Sequence, residues 1–107
     1  MILSTTDEIP GKKIVAVFGL ARGNAIRARH VGKDIMAGLQ TLIGGEILEY
    51  TKLMGEVREQ SIDRMTSEAA RMGANAVVGI RLSTPMVLQG AAEMVAYGTA
   101  VKIEDAS

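Results

Sequence analysis

Arg22, Arg27, Arg29 and Lys33 fall within one short stretch, interleaved with Gly23, Asn24 and Gly32. Guanidinium groups bind phosphate or carboxylate through paired hydrogen bonds, and glycines leave backbone amides free to add donors. The stretch therefore reads as a glycine-punctuated basic loop, with Arg22, Asn24, Arg27, Arg29 and Lys33 as candidate ligands for a small anion. The known phosphate loops are absent. Gly19-Leu20-Ala21-Arg22-Gly23 fits neither G-x-G-x-x-G nor the P-loop, and Gly32-Lys33 is followed by Asp34 rather than Ser or Thr. The competing reading is a set of surface charges that pair with the acidic helix of a neighbour.

A second constellation is His30 with Asp34. Four residues apart, they would share a face if a helix began early, and imidazole with carboxylate suits Zn²⁺ or Ni²⁺. A structural site takes about four ligands and a catalytic one about three, so further groups would have to come from elsewhere in the chain or from another copy. The plainer reading is a solvated histidine beside an aspartate that caps a helix. Glu56, Glu59 and Asp63 have the spacing of paired acid–base groups, but they fit a wet helix face equally well. Ser4, Thr5, Thr6 and Thr99 have no identifiable base, so no nucleophile can be named. Met54, Met65, Met72 and Met94 sit at core spacings and read as packing. No cofactor follows from these residues, and the chain reads as non-enzymatic.

Composition narrows the classes. The chain has 107 residues, 12 Lys plus Arg and 12 Asp plus Glu. That balance creates no field favouring nucleic acid or an anionic membrane. Phe18, Tyr50 and Tyr97 are too few to stack successive bases. Without cysteine there can be no disulfide, thiolate metal site or cysteine nucleophile. The first residues lack a basic segment followed by an apolar core, and the longest apolar run, Ile14 to Ala21, is under half of the roughly 20 residues a membrane helix needs. The expectation is a cytoplasmic protein, with one domain over residues 1–107.

The elements follow from periodicity. Ile2 to Thr5 suggests a short strand, and Glu8-Ile9-Pro10-Gly11 a turn. Lys13 to Ala21 is apolar on both alternating faces, which predicts a strand covered on two sides, by a helix and by another subunit. Asp34 would cap a short helix over 35–43. From Glu46 to Met72 the residues Ile47, Tyr50, Met54, Val57, Ser61, Ile62, Met65, Ala69 and Met72 fall on one helical face. Gly55 inside that run implies tight packing or a bend, and Gly73 is a C-cap. Ala76, Val78, Ile80 and Leu82 predict one uniformly apolar strand face, Met86 to Gly90 a turn, and Glu104 to Ser107 a frayed tail. The closing strand puts Val95, Tyr97, Thr99, Val101 and Ile103 on one side, and small residues with Met94 on the other. The fold class is thus α+β: a two-layer sandwich, one long helix on a small antiparallel sheet in the order β-α-β-β. The short N-terminal strand, Met1 to Ser4, would pair with a neighbour during assembly.

Several motifs occur in a familiar order: Asp34-Ile35-Met36-Ala37-Gly38-Leu39, Gly44-Gly45-Glu46-Ile47, Glu49-Tyr50-Thr51, Met72-Gly73-Ala74-Asn75-Ala76-Val77-Val78-Gly79 and Ala96-Tyr97-Gly98-Thr99-Ala100-Val101. From Ser4 to about Lys102 the chain resembles the YbjQ-like family of small uncharacterised bacterial and archaeal proteins. The resemblance implies a dodecin-like subunit assembled into a homopentameric ring. The family often carries a heavy-metal-binding label, to which a chain with one histidine and no cysteine offers little support. The tryptophan on which dodecins proper stack flavin is absent. The reading is therefore a homo-oligomeric binding or scaffold protein for a small anionic ligand, with self as partner and neither nucleic acid nor membrane. The alternative is a metal-binding protein using His30 and Asp34.

Overall fold

The structure, a computed structural model, describes residues 1–28, 45–85 and 91–107. In chain order its elements are β1 (Ile2–Leu3), β2 (Lys12–Ala28), α1 (Gly45–Arg71), β3 (Ala76–Ser83) and β4 (Ala91–Asp105). The strands form one sheet in the order β1-β3-β4-β2, with α1 packed on one face, so the α+β two-layer expectation holds. The sheet is mixed. β4 runs antiparallel to both β2 and β3, whereas β1 runs parallel to β3. The N-terminal strand pairs with β3 of its own chain, Ile2 opposite Ala76 and Leu3 opposite Val77, and stands at the outside of the sheet.

From Met54 to Met72, helix α1 buries the stripe its periodicity predicts, while the side chains of Ile47 and Tyr50 lie outside the described ones. Val57, Ser61, Met65 and Ala69 are buried, with Met54, Ile62 and Met72 half-buried beside them. Burial of the one polar member costs little, because the Ser61 hydroxyl donates to the Arg58 carbonyl at 2.9 Å within the helix. Gly73 ends the helix at φ +95°, a conformation open mainly to glycine, and its amide bonds the Ala70 carbonyl at 3.0 Å. Asn75 then ties the turn to the sheet. Its side-chain amide donates to the Ile103 carbonyl at 3.0 Å and accepts from the Ile103 amide at 2.7 Å, replacing ladder bonds that the turn would otherwise leave open. The Met72 to Asn75 motif is thus explained by architecture.

Two strand expectations change. β3 does not keep one uniform apolar face, because a register shift between Val78 and Arg81, with Gly79 at φ +63°, reverses the alternation. Val77 and Ile80 enter the core beneath the helix, while Ala76 and Val78 join Val101 and Ile103 on the opposite face, against Ile9. The C-terminal residues do not fray: β4 continues to Asp105, and the Ala106 amide bonds the Gly11 carbonyl at 3.0 Å. The short helix expected over 35–43 and the turn over 86–90 lie outside the described residues.

Candidate functional site

The basic segment is not a loop where it is described. β2 carries straight through Arg22, Gly23, Asn24, Ala25, Ile26 and Arg27 as far as Ala28. The glycine and alanines that resemble loop punctuation are small because the helix lies directly on them. A Cβ built on Gly23 would stand 2.2 Å from the Ser61 carbonyl oxygen and 2.4 Å from the Met65 amide nitrogen. Ala21 and Ala25 are buried on the same side. Strand geometry then splits the proposed ligand set, since alternate residues point to opposite faces.

Arg22 and Asn24 lie on the helix-free face, where Arg22 is opposite Tyr97 and Asn24 opposite Val95. The Arg22 side chain is exposed and makes no hydrogen bond or ion pair among the described residues. Arg27 has the other parity, and its guanidinium reaches α1 to pair with Glu56 at 2.5 Å. The Asn24 carbonyl is likewise taken by the helix, through the Arg64 guanidinium. Arg22 and Arg27 therefore cannot converge on one anion from a common loop. Arg29 and Lys33 lie outside the described residues, as do His30 and Asp34.

The acidic helix face keeps its plain reading. Glu56 pairs with Arg27, Glu59 bonds the neighbouring Arg58, and Asp63 is exposed. Among the described residues no three His, Cys, Asp or Glu side chains are grouped to hold a metal ion. The N-terminal hydroxyls shape a turn: Ser4 and Thr6 hydrogen-bond each other, and Thr6 donates to the Glu8 carbonyl at 2.6 Å. Asp105 is held below its ordinary value of 3.8, first by its hydrogen bond from Lys12 and then by that ammonium's charge.

A different concavity stands out. At the β1–β3 edge, Leu3, Ser4, Thr5, Ile62, Ile80, Arg81 and Leu82 line an open groove of about 450 Å³. The Arg81 guanidinium donates to the Thr5 carbonyl at 3.0 Å and the Ile80 carbonyl at 2.8 Å. Sequence reasoning missed it, because its lining comes from three separated segments and because the bulge at Gly79 resets the faces on which Ile80, Arg81 and Leu82 fall. The available signal was an arginine inside an otherwise apolar strand.

Among the described residues, no helix is long and apolar enough to cross a membrane. A family model described as "Putative heavy-metal-binding" matches residues 1–104. A UPF0145 protein of Methanosarcina acetivorans is 56% identical over 103 residues, covering 96% of this chain and 97% of its own. Another, from Dehalococcoides mccartyi, is 52% identical over 104 residues, covering 97% and 100%. A crystal structure of a DUF74-family protein of unknown function from Pediococcus pentosaceus shares the fold, with a TM-score of 0.67 at 12% identity over 97% of this chain and 98% of that one. Matched along almost its whole length, the chain belongs to the YbjQ family, UPF0145, whose members are uncharacterised.

Proposed function

We propose that this protein is a non-enzymatic, cytoplasmic homo-oligomer that serves as a binding or scaffold protein for a small anionic ligand. The observation that carries this reading is the first half of β2. Val17 is 66% exposed and Leu20 56%, and Ile14, Val15 and Phe18 are also open, although the sequence there is apolar on both faces. An apolar surface of this kind on a soluble chain marks an association site. The shape agrees: the radius of gyration is 17.7 Å, against about 13 Å for a compact domain of similar length. β1 and β2 are the two outer strands of the sheet. A head-to-tail contact that joins unlike edges generates a ring when the rotation closes, and five subunits is the stoichiometry the family resemblance implies.

Native mass spectrometry of gently purified protein tests the reading. A five-subunit species that persists on dilution is expected. A stably folded monomer at nanomolar concentration would sink it. The family description also favours a second reading, in which His30 and Asp34 bind a metal. It predicts that purified wild type carries metal that His30→Ala lacks, and equal metal content in the two would remove it.

A further inference from the structure

We infer that the groove at the β1–β3 edge receives the open half of β2 from the next copy of this chain, added as an extra strand beside β3 with Phe18 seated against Leu3, Ile62 and Leu82. This rests on the assembly half of the reading above and names the two surfaces that meet. The groove lies on the helix side of the sheet, since α1 supplies Ile62, and its lining is almost wholly apolar over about 450 Å³. A dry cavity of about 150 Å³ already takes a benzene ring, so the groove has room for an aromatic side chain and its neighbours. Beside it β3 has a free edge. The N-terminal segment covers the outer side of β3 up to the bond from the Ile80 amide to the Ser4 carbonyl, and from Arg81 to Ser83 the strand pairs with β4 alone among the described residues. Such an edge accepts an extended strand, whose backbone continues the ladder while alternate side chains fill the pocket. The open half of β2 has the matching properties. It lies on the outermost strand at the other side of the sheet, and Ile14 to Leu20 carry no charge. Phe18 leans to the helix side, its Cζ 3.9 Å from where a Cβ on Gly73 would stand. A neutral strand enters an apolar groove without stranding a charge, which a basic or acidic segment could not do. Because the two surfaces sit at opposite edges, one contact repeated head to tail covers both on every copy. A two-fold contact between like edges would cover one and leave the other bare.

Thiol cross-linking of the full chain tests the contact, and since the chain has no cysteine each introduced thiol is unambiguous. Val17→Cys and Ser83→Cys, combined in one chain, put a thiol beside each surface at exposed positions that share the helix-free face and lie outside the groove. Adjacent strands lie about 4.8 Å apart, within reach of a short bismaleimide. The double variant should therefore give a covalent ladder running up to the full ring, and neither single variant should cross-link. Dimers from a single variant would mean that like edges meet, and would overturn the inference. A second pair of variants probes the seat of Phe18. Leu82→Glu and Phe18→Lys should each weaken self-association by roughly tenfold or more, and combined in one chain they should recover part of that loss, because the new charges face each other across the contact. Strictly additive losses would overturn it. Native mass spectra of the same samples separate the two readings: an intact assembly whose double cysteine variant gives no ladder defeats the groove contact alone, whereas a chain that stays monomeric at every concentration defeats assembly and the contact with it.

Discussion

The two halves of β2 are one continuous strand under opposite rules. From Ala21 onward the inward residues are small, and α1 lies so close that Gly23 has no room for a methyl group. From Lys12 to Leu20 the residues are larger and more apolar, yet they stand open. Hydrophobicity along the strand thus runs opposite to burial within the chain. A small side chain is needed where a cover is already present, and a large apolar one where the cover is still to arrive. The contrast separates a strand half built for its own helix from one suited to another molecule.

The most damaging way to break the comparison is Gly23→Ala. The new Cβ would meet backbone atoms of Ser61 and Met65, which cannot rotate away, so the helix itself must move. A loss of about 3 kcal/mol is expected, at the upper end of overpacking costs, read as a lower denaturation midpoint with unchanged slope. A fully stable variant would show that the helix does not seat on the strand here.

The open half should respond differently. Val17→Lys and Leu20→Lys alter residues that are more than half exposed, so each should leave the fold within about 0.5 kcal/mol. Each should nevertheless weaken self-association by roughly tenfold or more, read by sedimentation over a dilution series. Unchanged association in both variants would mean that assembly uses another surface.

That division also explains what could be read from the residues. The helix stripe, its glycine stop and the two faces of β4 were legible because they depend on local periodicity, and 3.6- or 2-residue repeats survive in a single sequence. The continuation of β2 was not, because Gly23, Asn24 and Ala25 carry the same local signal as a loop. Only the proximity of Ser61 and Met65, some 40 positions away, gives the glycine its meaning. β3 failed for a related reason: the bulge at Gly79 lies inside a run whose alternation looks unbroken, and it exchanges the faces on either side. Of the candidate anion ligands, residue types alone identified Arg22 as exposed and cationic, but they could neither place Arg27 on the opposite face nor bring Leu82 to a groove beside Leu3 and Ile62.

A smaller effect, of opposite sign, comes from Gly55. It sits in the helix with open space around its missing Cβ, the Arg58 guanidinium at 3.9 Å being the one neighbour, so tight packing is not its reason. Gly55→Ala should raise stability by about 1 kcal/mol through helix propensity. Set against Gly23→Ala, it is the same substitution with a reversed outcome. A loss at Gly55 would show that the helix needs its flexibility there.

The smallest effect lies at the far end of the open half, where Lys12 pairs with Asp105 across β2 and β4. Lys12 stabilises the Asp105 carboxylate and holds its folded value below the ordinary 3.8. A depressed carboxylate contributes stability that is present above its unfolded value and lost as pH falls through the folded one. The pair is solvent-exposed, so that contribution is slight. The expected signature is spectroscopic. In Lys12→Gln the Asp105 carboxyl resonance should titrate at higher pH than in wild type, nearer the ordinary value. The small difference in melting temperature between the two proteins should be present at neutral pH and close as acid is added below pH 3.8. Identical titration curves would show that this end of the strand is held by its backbone ladder alone, and that the open half of β2 stays in register without help from its charges.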